Sequence, residues 1–219
     1  TLVVDGSASM NYCSGQARAQ AEGPVFTKLG YAVILAAALA YLLQHQRDRT
    51  GLFLIGGAQG ASRHLPPRCS RHQTRLLLQE LTAFRAGGAA DLAAALKGLA
   101  ARESRRGLIA ICSDGLTGRA ALLEALERLR HRGHSVLFFQ VWDPAELDPP
   151  FDSGAGVALR DPETGATFAP LPRAEYQQRA REHLAEVRKG CLARGCEHQF
   201  LLTTTAFDRA MLRFLRLRR

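Results

Sequence analysis

The sequence predicts an α/β fold: a mostly parallel sheet with helices on both faces. Three observations carry this expectation. Apolar runs of strand length alternate with longer runs whose apolar residues recur at helical spacing, the order that parallel crossover connections require. Two of the strand-like runs, Leu2-Val3-Val4-Asp5 and Ala110-Ile111-Cys112-Ser113-Asp114, are apolar and then reach an aspartate. Finally, 219 residues of which 47% are hydrophobic can bury a substantial core.

Taken in order, "TLVVD" (1–5) reads as the first strand and "TKLGYAVILAAALAYLLQHQ" (27–46) as a long, mostly buried helix. "GLFLIGG" (51–57) is a second strand, and "SRHLPP" (62–67) a short edge strand stopped by its two prolines. "RHQTRLLLQELTAF" (71–84) is an amphipathic helix. "ADLAAALKGLAAR" (90–102) is a helix with Asp91 in or near its first turn, where a negative charge is favoured. "GLIAICSDG" (107–115) is a buried strand, "AALLEALERLRHRG" (120–133) a helix ended by glycine, and "HSVLFFQVW" (134–142) the next strand. Residues 143–172 are rich in proline, glycine and aspartate and predict an excursion of turns. Within it "VALRDPETGATFA" forms a hairpin with Pro162-Glu163-Thr164-Gly165 at the tip. A helix (174–194), a strand "HQFLLTT" (198–204) and a last helix (206–217) follow. We read 1–219 as a single domain; it opens inside its first strand, so residues preceding Thr1 are expected, and these are where any membrane anchor would lie.

The formal net charge is +9, and all 29 basic residues except Lys28, Lys97 and Lys189 are arginines. Such a surplus suits an acidic protein or a nucleic acid. The arginines are spread along the chain, however, with "RESRR" (102–106) and "RFLRLRR" (213–219) the densest runs, and no aromatic residues interleave with them as in single-strand binders. A solvated basic surface is the simpler reading, and no nucleic-acid partner is expected. The longest uncharged apolar run, "YAVILAAALAYLL" (31–43), falls short of the roughly 20 residues that cross a bilayer, so no membrane contact is expected of these residues. Five cysteines, an odd number without a CxxC pair, predict reduced thiols and a cytoplasmic location. Cys191, Cys196 and His198 have no second cluster to complete a zinc site.

The chemistry is expected at the carboxyl ends of the strands, where open parallel sheets hold their ligands. In "VVDGSASM" (3–10), Asp5, Ser7 and Ser9 stand at every second position, so in extended backbone all three aim one way. If the strands ending in Asp5 and Asp114 are neighbours, these oxygens share a crevice. An oxygen-only donor set suits a hard cation, Mg²⁺ first or Mn²⁺.

These residues carry a resemblance. "VVDGSASM" resembles the D-x-S-x-S metal-ion-dependent adhesion site (MIDAS) of von Willebrand factor A-type (vWA) domains. "GGAADLAAAL" (87–96) resembles the second loop of that site, usually GGTDL, and "LIAICSDGLTG" (108–118) the third. The helix and strand of 27–57 and the tail of 176–219 are similar to the bacterial vWA family known as domain of unknown function 58. The resemblance implies a Rossmann-like, three-layer fold with a six-stranded sheet in the order 3-2-1-4-5-6 and a metal between the first and fourth strands. It implies that Ser7 and Ser9 bind the cation directly while Asp5 and Asp114 hold its waters. Two departures stand out. Ala90 replaces the threonine ligand of GGTDL, leaving Asp91 as a nearby oxygen that either approaches the ion or starts the helix, and Gly6 stands where threonine is common.

The function expected from this resemblance is that of a non-enzymatic protein-interaction module. Its cation would take a glutamate or aspartate of a protein partner, for this family a MoxR-type AAA+ ATPase, in the cytoplasm or at the cytoplasmic face of the membrane. The alternatives are a metal-independent module using its basic surface and, more remotely, a metal-assisted hydrolase. Against the last, a phosphatase with Asp5 as nucleophile needs a carboxylate two residues on, where Ser7 stands, and "DGSAS" lacks the G-x-S-x-G elbow. The seven histidines have no spacing that points to the crevice, and each is expected at the surface or at a cap.

Overall fold

The computed structural model describes residues 1–20, 25–150, 158–169 and 171–211. The first half contains β1 (Leu2–Asp5), a 3-10 turn (Ala8–Asn11), α1 (Gly15–Gln20), α2 (Lys28–His45), β2 (Thr50–Ile55), β3 (Arg63–Arg68), α3 (Arg71–Ala83) and α4 (Leu92–Arg102). The second contains β4 (Leu108–Ser113), α5 (Arg119–His131), β5 (Ser135–Trp142), α6 (Pro144–Leu147), β6 (Leu159–Arg160), β7 (Thr167–Phe168), α7 (Arg173–Ala193) and β8 (Glu197–Leu202). The short helices α1 and α6 lie in segments without a helical apolar repeat, which is why periodicity does not announce them.

Six strands form one sheet in the order β3-β2-β1-β4-β5-β8, the order the resemblance implies. All neighbours run parallel except β3, which is antiparallel to β2 at the edge. Side-chain alternation divides the core between the two faces. Leu2, Val4, Leu52 and Leu54 meet α2 and α3 on one face. Val3, Phe53, Ile111 and Phe138 meet α4, α5 and α7 on the other. The central strands are therefore buried on both faces and mostly apolar, with the polar residues Asp5, Ser113 and Gln140 toward their carboxyl ends.

Helix α2 starts at Thr27, whose hydroxyl accepts the Gly30 N–H at 3.0 Å. It is the one described helix long and apolar enough to cross a membrane, and here it lies on the sheet with Tyr31, Leu35 and Leu39 fully buried. Burial, rather than lipid, accounts for its apolarity.

Two expectations need correction. The prolines do not stop the edge strand: β3 includes Pro66 and Pro67 and ends at Arg68, because an edge strand has one row of N–H groups that needs no partner. The register shifts opposite Gly51, where a Cβ would lie 2.8 Å from the Leu65 carbonyl oxygen, so only glycine lets the bulge close. The last helix is described over 207–211; its remainder and the arginine run 213–219 lie outside the described residues. Of the 143–172 excursion, 151–157 and 170 also lie outside them, and β6 and β7 form the expected antiparallel hairpin.

Candidate functional site

Strands β1 and β4 are neighbours in register, Val4 opposite Cys112, so Asp5 and the Ser113-Asp114 pair emerge side by side at the carboxyl end of the sheet. The Asp5 carboxylate is clamped: Oδ1 accepts the Ser7 N–H at 2.9 Å and Oδ2 accepts the Ser113 hydroxyl at 2.6 Å. It is 4% exposed. Burial, and then the neighbouring Asp114 charge, push its pKa above the usual aspartate range against the pull of these hydrogen bonds. The hydroxyls of Ser7 and Ser9 lie 3.0 Å apart.

Backbone hydrogen bonds stitch this loop to its neighbours. Gly6 N–H donates to Ile55 O, Gly87 N–H to Gly6 O and Ala8 N–H to Gly88 O, each at 2.9 Å. The loop at 87–88 thus reaches the first loop, as the resemblance implies. A Cβ on Gly6 would come within 2.3 Å of the Phe84 ring. The aromatic ring occupies the space a threonine would need, which explains that departure. Gly6→Thr is expected to cost about 1–3 kcal/mol by overpacking, read by chemical denaturation, with part of the loss recovered when Phe84 is also changed to leucine.

Asp114 carries the densest set of contacts, and sequence reasoning missed its main partner. Lys28, the first residue of α2, has a fully buried side chain whose ammonium donates to Asp114 Oδ2 at 2.8 Å and Glu146 Oε1 at 2.6 Å. Burial alone would lower the Lys28 pKa, but the two carboxylates and their hydrogen bonds outweigh it, so the pKa is raised and the ammonium stays charged. Burial likewise pushes Glu146 above its usual range in spite of Lys28. Glu146 Oε2 accepts the Asp143 N–H at 2.8 Å while Asp143 caps α6. Asp143 in turn accepts the Ser14 N–H at 2.9 Å, so the starts of α2 and α6 and the residue before α1 are tied to the Asp114 loop.

Behind that loop the Asp114 carbonyl oxygen accepts Trp142 Nε1 at 2.7 Å and Gln140 Nε2 at 3.0 Å. His198 Nε2 meets Gln140 Oε1 at 2.9 Å, and His183 Nε2 lies 3.1 Å from Gly115 O. Burial first, then Arg188, push the His198 pKa down to about 4, so the ring is neutral at pH 7 and donates one N–H. His134 is only 2% exposed. The expectation that every histidine is at the surface or a cap is therefore corrected: His134 is buried, and the rings of His183 and His198 bond to groups behind the Asp114 loop.

Asp91 is the N-cap of α4, its Oδ1 accepting the Ala94 N–H at 2.8 Å. Ala90 sits against Gly56, whose added Cβ would lie 2.8 Å from the Ala90 methyl. From the excursion, Glu163 stands at the tip of the β6–β7 hairpin, within the field of Asp114 and Asp5. Burial, then those two charges and Asp161, push its pKa up. Two carboxylates, Asp114 and Glu146, thus share the ammonium of Lys28, and the Asp5 carboxylate lies beside Asp114.

Such a crevice is short of positive charge. Adjacent oxygens of an octahedral Mg²⁺ site with 2.0–2.1 Å bonds are separated by about 2.9 Å, close to the observed Ser7–Ser9 hydroxyl spacing. Asp5 and Asp114, clamped by protein donors, keep lone pairs for hydrogen bonds to coordinated water. The residues fit a hard cation held through hydroxyls and water; among the described residues, no group of three His, Cys, Asp or Glu side chains forms a ligand set by itself. The Ser7 hydroxyl is paired with that of Ser9. Cys191 and Cys196 are buried in the core, where burial pushes their thiols up to about 12 and about 11.

The family described as protein of unknown function DUF58 matches residues 1–187. An uncharacterized protein of Mycobacterium tuberculosis is 32% identical over 214 residues, which cover 94% of this chain and 62% of that protein. An uncharacterized protein of Mycobacterium avium is 33% identical over 162 residues, covering 71% of this chain and 94% of that protein. The chain therefore spans about three-fifths of the length of the M. tuberculosis relative. Among solved structures, BatB from Bacteroides thetaiotaomicron superposes with a TM-score of 0.61 at 15% identity, over 99% of this chain and 95% of that one. An aerotolerance-related membrane protein from Bacteroides fragilis gives 0.52 at 17% identity, over 98% and 95%. The VWA domain of SpRpn10 gives 0.51 at 10% identity, over 94% and 88%. At these identities the likeness is one of fold.

Proposed function

The chain belongs to the DUF58 family, and from that premise we propose that it is a non-enzymatic interaction module of the vWA type. Its crevice binds Mg²⁺ or Mn²⁺ through Ser7 and Ser9, with Asp5 and Asp114 holding coordinated waters and Asp91 reserved for capping α4. The observation that carries this reading is the pairing of the Ser7 and Ser9 hydroxyls, 3.0 Å apart, with two clamped carboxylates at the carboxyl end of adjacent strands. The cation supplies an electrophilic position that a partner's carboxylate completes. The partner we propose is a protein presenting an acidic side chain, a MoxR-type AAA+ ATPase being the family's candidate, in the cytoplasm or at the cytoplasmic membrane face. A surface of net charge +9 favours approach of an acidic partner.

The test is titration of Mg²⁺ and Mn²⁺ by calorimetry and thermal melting. The native chain is expected to bind and to melt higher with metal. Ala90→Thr, which supplies one more hydroxyl, is expected to bind several-fold more tightly. Absence of a response in both proteins at neutral pH would overturn the metal reading. Partner capture that survives chelation and Asp5→Asn alike would move binding to the basic surface.

A further inference from the structure

The arginines are spread along the sequence, but the parallel topology gathers many of them at one end of the sheet. In register, Thr50 stands opposite Arg68, Leu2 opposite Leu52 and Ala110, and Leu108 opposite Ser135. The segments entering β2, β4 and β5 and the one leaving β3 therefore share the pole at the amino ends of the parallel strands. These segments are "HQRDRT" (45–50), "RCSR" (68–71), "RESRRG" (102–107) and "RHRG" (130–133), with two, two, three and two arginines. Their only carboxylates are Asp48 and Glu103, and Glu103 Oε1 is already engaged, accepting the Thr1 hydroxyl at 2.9 Å and lying 3.2 Å from His64 Nε2. Arg106 lies over Gly133, where an added Cβ would come within 2.8 Å of its Nε, so two of the segments touch. Between the segments is an open recess of about 780 Å³, lined in part by Arg49, Arg102, Arg105 and Arg106. All four are exposed, and the ion pairs among the described residues use none of them.

Two exposed apolar side chains stand at the same pole. Helix α2 begins at the crevice with Lys28, so its last turns reach the opposite end; there Tyr41 is 59% exposed, its ring 4.5 Å from that of His45. Helix α7 also ends at this pole, because it leads through Gly195 and Cys196 into the start of β8, and Leu192 in its last turn is 55% exposed. Arginines contributed by separate loops, flanked by a tyrosine and a leucine, match a bilayer surface, where fixed negative charge covers an apolar layer. Nucleic acid fits less well: no Phe, Tyr or Trp stands within the four segments to stack on bases, and phosphates offer nothing to Leu192.

We propose that the amino pole is a docking surface for anionic phospholipid headgroups. Contact of this kind needs no spanning segment, so the sequence-based expectation of no membrane contact, drawn from apolar runs, does not bear on it. The eight residues of β5 would hold the crevice about 25 Å from the lipid, facing away from it. The inference does not depend on a metal in that crevice.

Co-sedimentation of the full chain with vesicles of equal parts phosphatidylglycerol and phosphatidylcholine, against phosphatidylcholine alone, tests the proposal. The native chain is expected to bind only the anionic vesicles, and less tightly as salt is raised. The triple variant Arg49→Gln, Arg102→Gln, Arg105→Gln should lose affinity on the order of a hundredfold, at about fivefold per arginine, with Tm unchanged. An equal loss of charge in the halves of α5 and α7 nearest the crevice, Arg119→Gln, Arg179→Gln, Arg181→Gln, should weaken binding far less. Tyr41→Trp supplies a reporter at the pole, since the native Trp142 is buried; its emission should be quenched by brominated phosphatidylglycerol. Failure of the native chain to bind anionic vesicles, whether or not it binds duplex DNA, overturns the proposal. So does equal weakening by the two triple variants, which would make net charge rather than the amino pole the determinant.

Discussion

Lys28→Met is expected to destabilise the fold by about 3–5 kcal/mol at neutral pH, the cost of leaving one side of a buried ion pair without its partner. The ammonium is fully enclosed and donates to both Asp114 and Glu146. Methionine fills similar volume but donates nothing, so both carboxylates lose their counter-charge in a setting of low dielectric. The pH dependence follows from Glu146, whose pKa burial already raises and which the variant deprives of the Lys28 pull. A carboxyl with a folded pKa above its unfolded value stabilises the fold when protonated, and loses that contribution as pH rises from the ordinary range near 4.3 through the raised value. The variant's deficit should therefore shrink on mild acidification. Urea denaturation at pH 7.5 and pH 5 measures it; a deficit under about 1 kcal/mol at pH 7.5 would mean that Lys28 does not hold these loops together.

Asp5→Asn is expected to act in opposite directions with and without metal. The amide can accept the Ser7 N–H and donate to Ser113, so the loop geometry survives. The like charge beside Asp114 disappears, and with it a carboxylate whose pKa burial and repulsion push up. Without metal the variant should equal or exceed the native chain in stability. With metal, the native chain gains about 2.7 kcal/mol at a cation concentration 100 times Kd, or about 5–10 °C in Tm for a domain of this size, whereas the variant gains almost nothing. Differential scanning calorimetry with Mn²⁺ and with chelator separates the two signs. Equal metal responses in both proteins would remove Asp5 from the site.

The residues of the crevice differ in how far they could be read from the sequence. Asp5, Ser7 and Ser9 are separated by single residues, so one alternation rule aligns them, and Asp114 ends a run too apolar to be anything but a buried strand. Lys28 left no such mark. A lysine at the start of an apolar helix looks like a solvated end, and its partners lie 86 and 118 residues away. Glu163 sits in a turn whose composition predicts a hairpin but carries no information on where the hairpin points. His183 and His198 serve the Asp114 loop only because α7 and β8 come to lie next to β5.

The sequence by itself determined the strand and helix order, the two-faced core and the aspartate-tipped strands, because hydrophobic periodicity and short-range spacing act through neighbours along the chain. The tertiary structure alone decided that Lys28 enters the crevice and that Phe84 forbids a side chain at Gly6. Each of these depends on which distant segments the packed sheet brings within a few ångströms, where charge, volume and hydrogen-bonding capacity must be satisfied together.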